Sequence, residues 1–154
     1  ALLAEPAVSM ALRKTGSFPL SVIAPELHRS VDLQQEWGRV FARSARIPQA
    51  GIAVMGTLRE RPDVVARIET EYARSLAWCR DHAEACGKGV AARIDMLSAE
   101  AVADSIAVSQ MDAVPARVAR AELEFMFGHL MKKSPALIGG KLPDDGFYGG
   151  AGAQ

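Results

Sequence analysis

The chain has few cysteines, few aromatic residues and no excess of charge of either sign. Its 154 residues include two cysteines and 6% aromatic residues. Two cysteines are too few for a disulfide-rich scaffold, and they lack the four-ligand spacing of a structural zinc site. Eighteen Lys and Arg residues balance eighteen Asp and Glu residues, so no net positive field attracts nucleic acid. We therefore expect no metal site and no nucleic-acid partner.

Long hydrophobic runs are also missing. No apolar run approaches the ~20 residues that span a bilayer, and the N-terminus lacks the basic stretch, apolar segment and cleavage site of a secretory signal. What remains is an ordinary globular composition, 49% hydrophobic and 23% charged. Residues 1–10 begin with an apolar run that indicates a buried strand leading directly into a helix. This beginning predicts that the chain is a piece of a longer protein.

Three short apolar runs predict strands. They are residues 1–4, residues 20–24 between Pro19 and Pro25, and residues 51–55 after the segment that ends with Ala50. Helical segments separate them, which predicts an α/β architecture with parallel pairing. Three parallel strands do not make a stable sheet by themselves. We therefore expect missing N-terminal strands, supplied by the rest of a longer chain, or pairing between copies of this one.

Capping residues and prolines mark the predicted helices. The first helix covers residues 6–14, and Ser30 or Asp32 caps a second one whose apolar face includes Trp37. The long helix that begins near Pro62 has an apolar stripe that predicts burial. The other start signals are Pro62, Asp81, Ser98 and Pro115, and the stripe consists of Val65, Ile68, Tyr72, Leu76 and Cys79.

The two cysteines, Cys79 and Cys86, leave two interpretations open. Seven residues apart on one continuous helix, their Cα atoms would be about 10 Å apart, which is too far for a disulfide. A helix break at Asp81 would bring them close enough to form one. Otherwise they are two half-buried thiols.

The sequence contains no recognisable catalytic motif. It lacks a Gly-x-Ser-x-Gly elbow, a phosphate loop ending in Gly-Lys-Ser/Thr, and a Gly-x-Gly-x-x-Gly after a strand. His28, His82 and His129 are scattered, with no spacing that suits a metal or a general base. We expect no catalytic residue and no cofactor. Glu5 differs, because it lies where a predicted strand meets a helix N-terminus, a common place for ligands in open α/β sheets.

Several short motifs, taken in order, resemble the carboxyl-terminal part of ABC-transporter solute-binding proteins of the nitrate, sulfonate, taurine and thiamine-precursor type. Together they span nearly the whole chain. The motifs are Glu5-Pro6-Ala7, Asp32-Leu33-Gln34, Glu36-Trp37-Gly38, Ile47-Pro48-Gln49-Ala50-Gly51, Arg61-Pro62-Asp63-Val64-Val65, Leu76-Ala77-Trp78, Ile138-Gly139-Gly140-Lys141-Leu142-Pro143-Asp144-Asp145 and Phe147-Tyr148.

The resemblance implies part of a two-lobed, periplasmic-binding-protein-like fold of type II. Residues 1–48 would complete the second lobe, and residues 49–154 would form a crossover strand and helices on the first lobe, with a disordered tail at 149–154. It implies a periplasmic protein that captures a small organic solute in the interlobe cleft and delivers it to ABC permease subunits. The solute would be of a nitrate-, sulfonate- or pyrimidine-like class.

The resemblance also implies which residues contact the solute. They lie around the first helix N-terminus and at the crossover: Glu5, Pro6, Ala7, Ser9, Gln49 and Gly51. Amide groups at a helix N-terminus favour an anion, whereas Glu5 favours a cation or a hydrogen-bond donor, so the charge of the solute stays open. Half of such a cleft would bind no solute tightly, because a closed cleft buries most of its ligand.

Two other functions remain as alternatives. One is an enzyme with the same bilobal fold, similar to enzymes of pyrimidine-precursor or menaquinone metabolism, because a fold does not determine an activity. The other is a free-standing dimerisation module that buries its exposed sheet edge in a stable oligomer.

Overall fold

The computed structural model describes residues 2–149, and these residues form helices but no β-strand. Three short 3₁₀ helices cover Gly56–Glu60, Pro135–Ile138 and Asp145–Tyr148. The predicted α/β, periplasmic-binding-protein-like fold is therefore wrong for the described chain. The α-helices are α1 (Ala7–Gly16), α2 (Leu20–Ile23), α3 (Leu33–Phe41), α4 (Pro62–Asp81), α5 (Ala83–Ala91), α6 (Ala99–Val108) and α7 (Ala116–Lys133).

Each predicted strand has another conformation. Residues 2–4 and 51–55 have no regular structure, residues 20–23 form α2, and Ala1 lies outside the described residues. The reason is hydrogen bonding, since a strand needs a neighbouring strand to satisfy its backbone. A helical turn satisfies it locally: the amide of Ala24 donates to the carbonyl of Leu20 at 2.7 Å. An apolar run of only four residues is too short for its hydrophobic periodicity to distinguish a strand from a helix.

The side chains of these three segments are among the more exposed apolar groups of the described chain. Ile23 is 79% exposed and Met55 is 76% exposed, and Leu2, Val22 and Ile52 are exposed as well. The sequence pattern marks the same residues for burial in a sheet. These side chains stay exposed because no second strand or helix covers them.

The helix boundaries agree better with the sequence. The Asp32 side chain accepts a hydrogen bond from the amide of Gln34 at 2.8 Å, and the Ser98 hydroxyl accepts one from the amide of Ala101 at 3.2 Å. Pro62 begins α4, and Pro115 directly precedes α7. These four predictions are confirmed, with Asp32 rather than Ser30 as the cap of α3.

Two predictions about the middle of the chain are wrong. Asp81 does not cap α5, because it is the last residue of α4 and His82 separates the two helices. Apart from Cys79, which packs against the core, the apolar stripe of α4 is not core, because no α4 residue is fully buried and Tyr72 is 48% exposed. Helical spacing of apolar residues predicts an apolar helix face. It does not show whether another element of the chain packs against that face.

The described residues divide into two compact units. The α5–α6 unit consists of the residues up to Ser30 together with Ala66–Ala113, and the α3–α7 unit consists of Val31–Val65 together with the residues from Val114 onward. The boundary between residues 48 and 49 stays a prediction. Gly149 ends the last 3₁₀ helix, and the rest of the predicted disordered tail lies outside the described residues.

Small side chains and a disulfide form the core of the α5–α6 unit. Cys86, Val102 and Ile106 pack together, and Ala101 is fully buried. A Cβ atom at Gly87 would lie 2.2 Å from the carbonyl oxygen of Ala99, so α5 and α6 approach closely at this glycine. Close helix packing thus replaces bulky hydrophobic side chains here.

Aromatic rings form the interior of the α3–α7 unit. Trp37 and Phe41 of α3 lie 4.5 Å apart between ring centroids, and Phe125 and His129 of α7 pack against both in edge-to-face or tilted arrangements. The guanidinium of Arg43 lies 4.1 Å from the centroid of the Phe125 ring. This cluster supplies much of the apolar contact between α3 and α7.

The 3₁₀ helix Asp145–Tyr148 packs on α7 through one arginine and one tyrosine. Arg120 donates to Asp145 at 2.7 Å, and its guanidinium lies 4.7 Å from the centroid of the Tyr148 ring. Tyr148 is 2% exposed. Burial raises the pKa of the Tyr148 hydroxyl, and the nearby Glu124 carboxylate raises it further.

Candidate functional site

Glu5 lies two residues before the first residue of α1, in a turn whose Glu5–Pro6 peptide bond is cis. One of its carboxylate oxygens accepts two hydrogen bonds from Ser9, from the amide at 3.1 Å and from the hydroxyl at 2.8 Å. Ser9 is 1% exposed. One turn of helix therefore brings a carboxylate and a buried hydroxyl together.

Arg29 completes this group from the segment that follows α2. Its Nη2 atom donates to the other Glu5 oxygen at 2.8 Å and to the Ser9 hydroxyl at 2.8 Å, and its Nε donates to Glu5 at 3.2 Å. The sequence analysis missed Arg29. It stands alone in an irregular segment, 24 residues from Glu5, and no helical or strand period marks it.

The hydrogen bonds keep Glu5 ionised despite its partial burial. Burial alone would raise its pKa, but the bonds from Arg29 and Ser9 outweigh this effect, and the pKa lies below the ordinary value of 4.5. A carboxylate with a lowered pKa is a weak base. Glu5 is therefore suited to holding Arg29 and Ser9 in place rather than to accepting a proton.

A second ion pair joins α1 to α6 nearby. Arg13 of α1 donates to both oxygens of Asp104, with Nη2 at 2.8 Å from one of them. These bonds from Arg13 hold the pKa of Asp104 below its usual range, and the charge of Arg29 acts in the same direction. Arg29 is therefore close enough to act electrostatically on both carboxylates.

An open cleft of about 420 Å³ lies beside these two ion pairs. Its wall combines the charged groups with the apolar side chains of α1 and α6. All of its lining residues belong to the α5–α6 unit. They are Ser9, Leu12, Arg13, Arg29, Asp104, Ala107 and Val108.

The structure brings only some of the predicted solute contacts together. Glu5 and Ser9 are bonded to each other, and Ser9 lines the cleft. Pro6 has no amide hydrogen, and its carbonyl accepts from Met10 at 2.9 Å at the beginning of the helix. Ala7 is the first residue of α1. Many polar groups at this helix N-terminus are thus engaged within the chain.

Gln49 and Gly51 belong to the other unit. Both are exposed, and they lie in the irregular segment between α3 and the 3₁₀ helix Gly56–Glu60. The Gly51 position has open space where a Cβ atom would stand. Their role in solute contact, like that of the residues at the start of α1, stays a prediction.

The cleft does not have the arrangement of a nucleophilic active site. Ser9 donates its hydroxyl hydrogen bond to Glu5 rather than to an imidazole. The three histidines lie elsewhere: His28 is 3.8 Å from Glu26, and His82 and His129 each contact a carbonyl oxygen of their own helical region.

Residues 2–149 contain neither a candidate metal site nor a candidate membrane span. No group of three or more His, Cys, Asp or Glu side chains in this range is arranged to hold a metal ion. None of the described helices combines the length and the apolar character needed to cross a bilayer.

The chain was compared with protein-family models, with curated proteins and with solved structures, and none of the three comparisons found a match.

Proposed function

We propose that this chain takes part in capturing a small organic anion for an ABC importer and that the cleft between α1 and α6 contacts the anion. The observation that carries the proposal is the pair of arginines, Arg13 and Arg29, in one cleft wall beside an apolar surface. The order of the sequence motifs supports the importer role, because it resembles that of solute-binding proteins. The proposal does not depend on a β-sheet.

The two guanidinium groups at the cleft favour an anionic solute. Arg13 and Arg29 line the cleft together with Asp104, and Arg29 is also ion-paired with Glu5. Within the described residues, Arg29 hydrogen-bonds through Nε and Nη2, so its Nη1 is available to a ligand oxygen. The planar guanidinium matches the oxygen spacing of a carboxylate or sulfonate.

The apolar part of the cleft wall suits a short hydrocarbon group. Leu12, Ala107 and Val108 line it, and Val108 is 54% exposed. A volume of about 420 Å³ falls in the range of small-molecule sites, which is ~300–1,000 Å³. The openness of the cleft limits how much of the ligand it covers, so we expect weak binding.

The disulfide supports a location outside the cytoplasm. Cys79 and Cys86 form a bridge in the structure, with their Cα atoms 5.2 Å apart. Structural disulfides persist in oxidising compartments such as the periplasm and are rare in the cytosol. A periplasmic location agrees with the proposed role in solute capture.

The binding proposal is tested by an NMR titration of the chain with sodium ethanesulfonate, which joins one negative charge to a short apolar tail. We expect amide shifts in α1, α6 and around Arg29 that saturate with a dissociation constant on the order of 1 mM, or about −4 kcal/mol. Propylammonium, of similar size and opposite charge, should cause no saturable shifts at these positions.

Two variants sharpen the titration. Arg29→Gln removes the positive charge and should weaken ethanesulfonate binding at least about tenfold, which corresponds to ~1.4 kcal/mol. Arg39→Gln is the matched control, since Arg39 is an exposed arginine of α3 that pairs only with Glu36 among the contacts described, and it should leave binding unchanged. Equal binding by both variants, or equal shifts with propylammonium, would refute the proposed site.

The importer role needs a separate measurement in cells. Uptake of a radiolabelled alkanesulfonate is compared between cells with the wild-type gene, cells without it and cells with the Arg29→Gln variant. We expect uptake to fall in the last two. Undiminished uptake in cells without the gene would contradict the importer role while leaving the binding result standing.

A further inference from the structure

The junction between α4 and α5 combines a sharp helix break with a disulfide. α4 ends at Asp81 and α5 begins at Ala83, so His82 alone separates them. The backbone of His82 has φ −135° and ψ 52°, outside the helical region. The Cys79–Cys86 bridge spans this single residue.

The bridge and a continuous helix exclude each other. Cα atoms seven residues apart on one α-helix are separated by about 10 Å. A disulfide requires a Cα separation of roughly 4.4–6.8 Å, and here the separation is 5.2 Å. While the bridge is intact, α4 and α5 cannot form one straight helix.

The sequence across the break has no residue that interrupts a helix. Residues 80–85 contain neither glycine nor proline, and two of them are alanine, the strongest helix former. Helical hydrogen bonds continue on both sides, since the His82 amide donates to the Trp78 carbonyl at 2.9 Å and the Cys86 amide donates to the His82 carbonyl at 2.9 Å. The non-helical torsions of His82 lie between these two helical segments.

Little packing opposes a change of angle between α4 and α5. No α4 residue is fully buried, and Ile68, Tyr72 and Trp78 are exposed, whereas α5 packs tightly on α6. Besides the bridge, the bend is held by Cys79, which packs against the core, and by Arg80, which donates to the Met111 carbonyl at 3.1 Å and to Asp112 at 3.2 Å. The Arg80–Asp112 pair is exposed to solvent, and such pairs contribute little to stability.

We propose that the Cys79–Cys86 bridge is a redox-controlled hinge lock. In the oxidised protein it holds the bend at His82, and in the reduced protein α4 and α5 join into one continuous helix while α5 stays packed on α6. The proposal rests on the helix geometry and is independent of the proposed function.

Opening the lock requires a dithiol reductant, and the step balances in atoms and electrons. One reductant thiolate attacks the sulfur of Cys79, the less buried cysteine, and the S–S bond breaks to leave a Cys86 thiolate that takes up a proton. The second reductant thiolate then attacks the mixed disulfide, which releases the Cys79 thiolate, and this also takes up a proton. Two electrons pass to the protein, and the reductant becomes a cyclic disulfide.

The test is the backbone NMR chemical shifts of His82 and its neighbours, with and without excess dithiothreitol. In the oxidised chain we expect non-helical Cα shifts at His82, and after reduction helical shifts that run without interruption from α4 into α5. The double variant Cys79→Ser/Cys86→Ser should give the helical shifts under both conditions.

A proline variant is the matched control. In Ala83→Pro the proline occupies the first position of α5, where helices tolerate it, and it keeps the preceding His82 out of the helical region. Its shifts at His82 should stay non-helical after reduction. If wild-type His82 stays non-helical after reduction, or if α5 and α6 lose their helical shifts, the hinge lock is refuted.

Discussion

The two units stabilise themselves in opposite ways. In the α5–α6 unit, small residues such as Gly87 and Ala101 let two helices approach closely around a disulfide. In the α3–α7 unit, the large rings of Trp37 and Phe125 fill the space between helices. We therefore expect that enlarging a small buried residue lowers the stability of the α5–α6 unit most. Truncating a large side chain should lower the stability of the α3–α7 unit most.

The largest expected effect is the loss of a ring from the aromatic cluster. Trp37→Ala removes contacts with Phe41, Phe125 and His129 and should lower the free energy of unfolding by about 3 kcal/mol. Trp78→Ala is the control, because Trp78 is 47% exposed and stacks only on His82 among the described rings, and we expect at most about 1 kcal/mol. Urea denaturation followed by circular dichroism measures both, and equal losses would contradict the importance of the cluster.

The next effect tests added atoms in the α5–α6 unit. Gly87→Ala places a Cβ atom 2.2 Å from the Ala99 carbonyl oxygen and should destabilise by about 2 kcal/mol through overpacking. Gly89→Ala, two residues along the same helix, meets open space and should stabilise by about 0.7 kcal/mol, because alanine is the better helix former. Thermal denaturation measures the change in stability of both variants. If both changes have the same sign, the close approach of α5 and α6 is disproved.

A smaller effect tests the polar group beside the cleft. Ser9→Ala removes a buried hydroxyl that bonds to Glu5 and Arg29 and should cost about 1.5 kcal/mol, as is usual for bonds to charged groups. Ser17→Ala removes an exposed hydroxyl that bonds to the Lys14 carbonyl and should change stability by less than about 0.5 kcal/mol. Urea denaturation measures the free energy of unfolding of both variants. Equal losses would contradict a stabilising role for the hydrogen bonds of Ser9 to Glu5 and Arg29.

The smallest expected effect is on the pH dependence of stability. The α5–α6 unit should lose stability in acid, and the α3–α7 unit should lose it in alkali. The pKa of Glu5 is lowered on folding, so its contribution is present above its ordinary value of 4.5 and is lost as the pH falls through the folded value. The pKa of Tyr148 is raised on folding, so its contribution is full below its ordinary value of 10.0 and is lost as the pH rises through the folded value.

Residue-specific amide exchange across the pH range measures this difference. Protection of α1 should fall in acid, and Glu5→Gln should flatten that fall; protection around Asp145–Tyr148 should decline in alkali, and Tyr148→Phe should flatten that decline. The lowered pKa values of Glu36 and Asp63 belong to exposed pairs, which solvent screens and which should contribute little. An acid response in α1 that Glu5→Gln leaves unchanged would contradict the assignment.

Features that depend on residues close together in the sequence could be predicted, whereas features that depend on distant residues could not. Asp32 and Ser98 were predicted correctly as caps, because each bonds to an amide two or three residues away. Arg29 was missed, because its partners lie 20 and 24 residues away and no period links them. The strand predictions failed because a strand depends on a neighbour that a short apolar run does not specify.

The disulfide shows the same limit at an intermediate range. Helix geometry reduced the choice to a bridge with a break or two thiols without one, and the structure has the bridge. The break falls at His82, one residue beyond Asp81, the position inferred from the sequence. Residues 80–85 contain no glycine or proline, and Asp81 is only a weak signal for a helix start, so the sequence left both alternatives open.

Residues 20–23 and 51–55 have a strand-like composition, but in the structure they are not strands. Backbone NMR shifts and short-range nuclear Overhauser contacts for residues 20–23 and 51–55 test this directly. We predict helical shifts with i to i+3 contacts in Leu20–Ile23, and no cross-strand contacts in residues 51–55. Extended shifts in both segments, together with cross-strand contacts, would contradict the helical fold and restore the predicted sheet.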